Sequence, residues 1–276
     1  MPMPSIRVRV SGDYACFTRP ETKVERYSYP VMTPSAARNI LDAICWRPQM
    51  RWIVTSITVL KAIRLMSVLR NEVQHKATIE SIAAGDGKKD KKQSISFKAI
   101  RQWMDEPSRF RPLIAGAGDG TDCTPRNTTL LRDVAYWIDA YPQIFDAGSD
   151  ATGPNNPEKY VAMLNRRVEK GQCFQRPYLG CREFAADFGP PREGDQPIPD
   201  SMEIGRMLYD IAFLPAGNQA AFFDARLVNG LLDTDPSHVL HEAATRQRVL
   251  GCSYQPKHDL TPGVCREEVK PCLSNC

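Results

Sequence analysis

The sequence predicts an α+β fold: a β-α-β-β-α-β core of the ferredoxin-like kind over residues 1–188, then a smaller C-terminal β-sheet region over 189–276. Three observations predict it. Period-two alternation at 5–10 and 126–144, β-branched and aromatic content at 51–60 and an apolar segment at 63–69 read as strands, while helical periodicity falls at 34–45 and 156–170. The stretch 71–125 changes composition and interrupts that order as an insertion would. Residues 189–199, GPPREGDQPIP, are the best linker in the chain, and shorter strand segments follow them.

Residues 5–10 set Ile6, Val8 and Val10 against Ser5, Arg7 and Arg9, which makes a strand with one apolar and one cationic face. GDYACF then leads into a polar, aromatic loop, TRPETKVERYSYP, where Tyr27 and Tyr29 lie beside Lys23 and Arg26. That mixture suits base stacking with backbone contact; it equally suits a partner surface or a loop packed on its own domain. Thr33 caps a helix over 34–45, with Pro34 in its first turn and Ala37, Ile40, Leu41 and Ile44 as its buried stripe. Pro48 stops it. Residues 51–60, rich in Trp, Ile, Val and Thr, read as a strand, and 63–69 as a second strand paired to it, although 62–73 also fits a helix.

Inside the insertion, Lys88 and Lys89 open the run KKDKK close to His75. Such a run is a solvated loop or an arm that orders on nucleic acid. Residues 97–104 form a short amphipathic segment, and 112–125 a Gly/Asp-rich connector. From 126 to 144 a long alternation gives the next strand, and 148–157 a loop. Asn156-Pro157-Glu158 then starts a helix that Gly171 ends. Val161, Leu164 and Val168 form its inner stripe. Lys159, Arg166 and Lys170 share the opposite side, followed by Gln172, Gln175 and Arg176; this face suits a phosphate backbone, or is simply solvated. Residues 173–188 read as one or two strands meeting at Gly180, and 208–214 and 220–227 as strands with a turn at Gly230. From 261 onward there is no clear period.

With 276 residues, a formal charge of +4 and 42% hydrophobic residues, the composition is that of an ordinary soluble protein that permits a nucleic-acid partner without requiring one. No apolar run has membrane-spanning length, and MPMPSIRVRV lacks the pattern of a secretory signal, so a cytoplasmic protein without a membrane partner is expected. The nine cysteines include no CxxC, and free thiols are expected, the last four being irregularly spaced. His238 and His241 stand three apart without an acidic or cysteine pattern beside them, so no metal site is predicted.

GDYACF, the loop ending Tyr29-Pro30, Trp46-Arg47-Pro48, LLRDVAYWIDA at 130–140 and PYLGCREF at 177–184, in that order, resemble the CRISPR-associated Cas5 family, in the subtype of type I-C systems. The likeness covers most of residues 5–225. It implies an RRM-like N-terminal domain, in which the basic stretch at 71–125 reads as an insertion, and a smaller C-terminal sheet region. It implies an endoribonuclease that cuts precursor CRISPR RNA within each repeat and stays with the mature RNA and the other subunits of the surveillance complex. The implied chemistry needs no cofactor: a base takes the ribose 2′-OH proton, the oxygen attacks the adjacent phosphate, a cation offsets the charge, and an acid protonates the leaving 5′-oxygen.

The family's tyrosine in the first helix and Lys-His pair at the second fall on Cys45 and Glu158-Lys159, so the histidine is missing. Lys159 is then the candidate cation, and Tyr27, Tyr29, Tyr160 and Cys45 are the candidate proton-handling groups. Lys23, Arg26, Lys88, Lys89, Arg126, Arg166, Lys170 and Arg176 are the candidate RNA contacts. A scaffold that holds the RNA end without cutting is the alternative, and duplex DNA binding and metal-dependent nuclease activity stay open.

Overall fold

Ile6, Val8 and Val10 are buried and Arg7 is exposed in strand β1 (Ile6–Ala15) of a computed structural model of the chain, but Arg9, expected beside Arg7 on an outer cationic face, is buried and donates from Nε to Asp195. Residues 4–22, 24–73, 78–79, 94–110, 123–145, 148–150, 153–214 and 217–250 are described. Lys23, His75, Lys88, Lys89, and the tail from 251 onward with its four cysteines and His258, lie outside the described residues.

After β1 come β2 (Arg26–Tyr27), α1 (Pro34–Ile44), β3 (Met50–Val59), β4 (Leu65–Val73), β5 (Thr78–Ile79), β6 (Ser94–Ile95) and α2 (Phe97–Asp105). Next are β7 (Cys123–Ile144), β8 (Ser149–Asp150), β9 (Gly153–Pro154), α3 (Pro157–Glu169) and β10 (Asp187–Gly189). The chain goes on through β11 (Met202–Leu214), β12 (Gly217–Val228), β13 (Leu231–Asp233), α4 (Pro236–Val239) and α5 (Ala243–Leu250). The fold is therefore mixed α+β.

One sheet runs in the order β10-β1-β7-β3-β13-β12-β11, antiparallel at each of these pairings, with β2 and β4 added on β7. Its register aligns apolar positions across strands: Ile138 faces Val8 on one side and Ile57 on the other. α1 packs on β3 and β11, and α3 on β1 and β10. Ile40, Leu41 and Ile44 of α1 meet Leu164 and Val168 of α3 in one core with Trp52 and Tyr136. Thr33 caps α1 by accepting from Ala36 N at 3.3 Å, as its sequence signal predicts.

The chain divides into two compact units, Met1–Met66 with Thr129–Cys276, and Ser67–Thr128. Within the second, α2 is capped by Ser96, whose hydroxyl accepts from Ala99 N at 3.1 Å, and Trp103 meets Phe110 edge-on at 5.2 Å. Arg70 Nε donates to Thr128 Oγ1 at 3.1 Å. The amphipathic segment expected at 97–104 is thus a helix.

Several expectations are corrected. The 63–69 strand pairs with β7, not with the strand before it. The free edge of β3 is instead taken by β13, where Leu232 faces Ile57 and Val59 N donates to Gly230 O at 2.7 Å. Residues 173–186 are a turn-rich segment with a single bridge between Tyr178 and Ala185, and only Asp187–Gly189 pairs as a strand. The cause is Gly180: its φ is +84°, and a Cβ there would fall 2.1 Å from Cys16 O, so the chain turns back onto the end of β1 where a strand would run straight on. The long strand begins at Cys123, inside the expected connector, and the 148–157 loop contains the small β8–β9 ladder. On α3 the buried stripe is Tyr160, Leu164 and Val168, with Val161 only half-buried. The 189–199 segment is tied to the sheet at two points, Asp195 accepting from Arg9 Nε at 2.9 Å and Ile198 N donating to Val59 O at 3.0 Å, while residues 190–194, 196, 197 and 199 are exposed.

Candidate nucleic-acid interface

The first turn of α3 is fixed by two consecutive asparagines. Asn156 caps the helix, its Oδ1 accepting from Lys159 N at 2.8 Å, with Pro157 and Glu158 in the first turn. Asn155 is buried and holds the side chains. Its Oδ1 accepts from the Tyr160 hydroxyl at 2.8 Å and from Lys159 Nζ at 3.1 Å, while Lys159 Nζ also donates to Gly153 O at 3.1 Å. The ammonium lies 5.4 Å from the Tyr160 ring centroid, within cation–π range. Lys159 and Tyr160 are thus brought together, the first half-buried and the second fully buried. A lysine held this way keeps its charge in one place.

The other tyrosines separate. Tyr29 is fully buried, its hydroxyl accepts from Leu208 N at 3.3 Å, and burial pushes its pKa up. Tyr27 keeps an exposed ring, and the Arg19 guanidinium stands 5.6 Å from its centroid and 4.7 Å from that of Tyr29. Nothing in the sequence but its place in TRPETK marks Arg19. Cys45 is buried at the end of α1, and burial raises its thiol pKa against the opposing pull of Arg167, Arg47 and Arg166.

A second group joins β1 to the PYLGCREF turn. Cys181 Sγ donates to Cys16 O at 3.6 Å, Arg26 Nη1 reaches Cys181 Sγ at 3.5 Å, and Arg26 also pairs with Glu183 at 2.8 Å. The Thr18 hydroxyl lies 3.6 Å from Cys16 Sγ and 4.0 Å from Cys181 Sγ. A hydrogen bond from the Cys16 thiol brings the Cys181 pKa down to about 6 against the cost of burial, and Cys16 is pushed up in turn. No spacing in the sequence links positions 16 and 181. Arg26, expected as an RNA contact, is here also the partner of Glu183.

Of the remaining expected contacts, Arg166, Lys170 and Arg176 are exposed, and Arg126 is half-buried on β7. His238 sits on α4 with Nδ1 2.9 Å from Asp233 Oδ2. Among the described residues no group of three His, Cys, Asp or Glu side chains gathers as a metal site, and no helix is long and apolar enough to cross a membrane.

The profile of the CRISPR-associated protein (Cas_Cas5) family, Cas5d group, matches residues 5–203. The chain is 42% identical over 240 residues to the CRISPR pre-crRNA endoribonuclease Cas5d of Mannheimia succiniciproducens, covering 84% of this chain and 95% of that protein. It is 35% identical over 215 residues to the protein of the same name from Thermus thermophilus, covering 77% and 75%. A crystal structure of a CRISPR-associated protein shares the fold with a TM-score of 0.53 at 22% identity, covering 84% of this chain and 91% of that one. This chain belongs to the CRISPR-associated Cas5 family, Cas5d type.

Proposed function

We propose that the protein binds CRISPR repeat RNA and cuts the precursor within each repeat by attack of a ribose 2′-OH, then stays with the mature RNA and the other type I-C subunits. The observation that carries the reading is Lys159, held by Gly153 and Asn155 in the first turn of α3, the position where the family resemblance calls for a cation. Support comes also from the 42% identity to a relative named a pre-crRNA endoribonuclease. The fold fits this use as an RRM-like, ferredoxin-like module over 1–188, with the order β10-β1-β7-β3 and α1 and α3 in its crossovers, and a smaller sheet region over 189–276.

In the proposed step the 2′-oxygen forms a bond to phosphorus as its proton leaves to a base. The bond from phosphorus to the 5′-oxygen breaks, and that oxygen takes a proton. Lys159 offsets the charge that builds on the phosphoryl oxygens. The products are a 2′,3′-cyclic phosphate and a 5′-hydroxyl.

Purified protein incubated with its own repeat RNA in excess EDTA is expected to give those ends. Replacing the nucleotide 5′ of the cut by its 2′-deoxy form is expected to abolish cutting. Cutting of the deoxy substrate would sink the proposed attack. A specific observation favours a second reading, an RNA-holding scaffold that does not cut: Glu158-Lys159-Tyr160 has no histidine, and the Tyr160 hydroxyl is spent on Asn155. RNA that is bound tightly and stays intact would select that reading.

A further inference from the structure

Phe174 is the most exposed of the large hydrophobic side chains among the described residues, at 84%. Its position is fixed all the same. Gly171, with φ +63°, turns the chain after α3, and Phe174 N and Gln175 N both donate to Ala43 O, at 3.0 and 3.1 Å. The turn is therefore tied to the last residues of α1, and the ring is held out in water where burying it would be favourable.

Cations surround that turn. Arg166, Arg167 and Lys170 occupy the end of α3, Arg176 follows the ring by two residues, and the charges of Arg167, Arg47 and Arg166 all act on Cys45 just inside the surface. Arg167 Nη1 donates to Ile44 O, which ties the ends of the two helices together. Among the described residues Arg166, Lys170 and Arg176 form no ion pair. Such cations would favour the negative end of a helix in any protein. That effect does not account for an aromatic ring pinned outward among them.

We infer that this end of α1 and α3 is a docking surface for a single-stranded segment of the RNA, with one base stacked on Phe174 and the flanking phosphates on Arg166, Lys170 and Arg176. Every base has a face that can stack on an aromatic ring, and a flexible strand can splay one out, whereas a duplex keeps its bases paired and stacked. The cations match a polyanion. The inference rests on the RNA-binding reading above, but it concerns the opposite end of α3 from Lys159 and needs no cutting.

The test is equilibrium binding of the full chain to its repeat RNA carrying the 2′-deoxy nucleotide at the cut, so that binding is read apart from cleavage. Phe174→Ala is expected to weaken binding about tenfold, and Phe174→Trp to keep it. Arg166→Gln or Lys170→Gln is expected to flatten the salt dependence by about 0.7 in log–log slope for each lost contact with a single strand. Removing bases one at a time from the unpaired flanks should reveal a position that matters to the wild type and not to Phe174→Ala. If Phe174→Ala binds as tightly as the wild type, the inference fails and the RNA-binding reading stands. If the wild type itself does not bind the RNA, that reading fails. Equal loss on a blunt duplex would overturn single-strand specificity. A Phe174→Ala defect seen only in assembly with other subunits would make the surface a protein contact.

Discussion

The hydroxyl of Tyr160 donates to Asn155 Oδ1 at 2.8 Å, within a fully buried ring environment. The same oxygen accepts from Lys159, so one side chain holds both members of the candidate pair. Tyr160→Phe removes a donor but leaves Asn155 a partner. It is expected to cost about 1 kcal/mol of stability and to leave cutting within a few-fold. Asn155→Ala strands the buried hydroxyl and releases the lysine, with an expected loss of about 1–3 kcal/mol and slower cutting. Denaturant titration with single-turnover cleavage reads both, and a cutting defect of about a hundredfold in Tyr160→Phe, at intact stability, would move the hydroxyl into the chemistry.

For Lys159 itself, the expected result is a split between binding and cutting. Lys159→Ala removes charge stabilisation needed only as the phosphoryl oxygens become more negative, so cutting should fall by about a hundredfold with RNA affinity within about threefold. Lys159→Arg keeps the charge and should restore part of the rate. Parallel loss of affinity and rate would make Lys159 a backbone contact.

The parts of this molecule legible in the sequence are those governed by local rules. Thr33 and Asn156 cap the helices their sequence signals predict, and the alternation of β1 and β7 and the β-branched, aromatic content of β3 give strands because these elements pack on α1, α3 or the core. What the sequence hid depends on distant partners. The edge of β3 goes to β13, some 170 residues later in the chain, because Leu232 fits against Ile57; nothing near residues 63–69 announces that competitor. The candidate site divided in the same way. Lys159 and Tyr160 are neighbours in sequence and stay together, whereas the sequence leaves Tyr29 open between a contact surface and packing on its own domain, and it is β11, through Leu208, that decides for packing. Cys181 and Cys16 come together only because Gly180 lets the turn approach Cys16 O.

A buried charge cluster ties α1 and β3 to β11. Asp210 accepts from Arg38 at 2.8 and 3.1 Å and from Arg51 at 2.7 Å, and Arg38 also pairs with Asp42 at 2.7 Å. Burial alone would raise the Asp210 pKa, but Arg38 and Arg51 outweigh it and the net shift is downward. Asp210→Ala leaves two buried guanidiniums short of a carboxylate and is expected to cost about 3–5 kcal/mol, measured by denaturant unfolding. A carboxylate with a lowered folded pKa stabilises above its unfolded value, about 3.9, and loses that contribution as pH falls through the folded value. Asp42 acts in the opposite sense, since burial raises its pKa. Loss of less than about 1 kcal/mol in Asp210→Ala would show that the arginines find water or other acceptors.

Cys181 gives a prediction that separates chemistry from exposure. Its thiol is only partly exposed, whereas Cys173 is exposed, yet the Cys16 hydrogen bond brings the Cys181 pKa down to about 6, with Arg26 acting in the same direction. An ordinary thiol ionises near ~8.5, and the thiolate is the form that is alkylated. Site-resolved alkylation with iodoacetamide should therefore show a midpoint near pH 6 at Cys181. Cys16→Ala should move it up toward ~8.5, and Arg26→Gln part of the way. In this window the folded protein binds fewer protons than the unfolded chain, so the thiolate's contribution to stability grows as pH rises from about 6 to the unfolded value and is lost as pH falls through about 6. The Cys16→Ala protein should lose that slope. A wild-type midpoint near ~8.5 would mean that Cys16 does not donate to Cys181, and that the turn is held by Gly180 and the backbone alone.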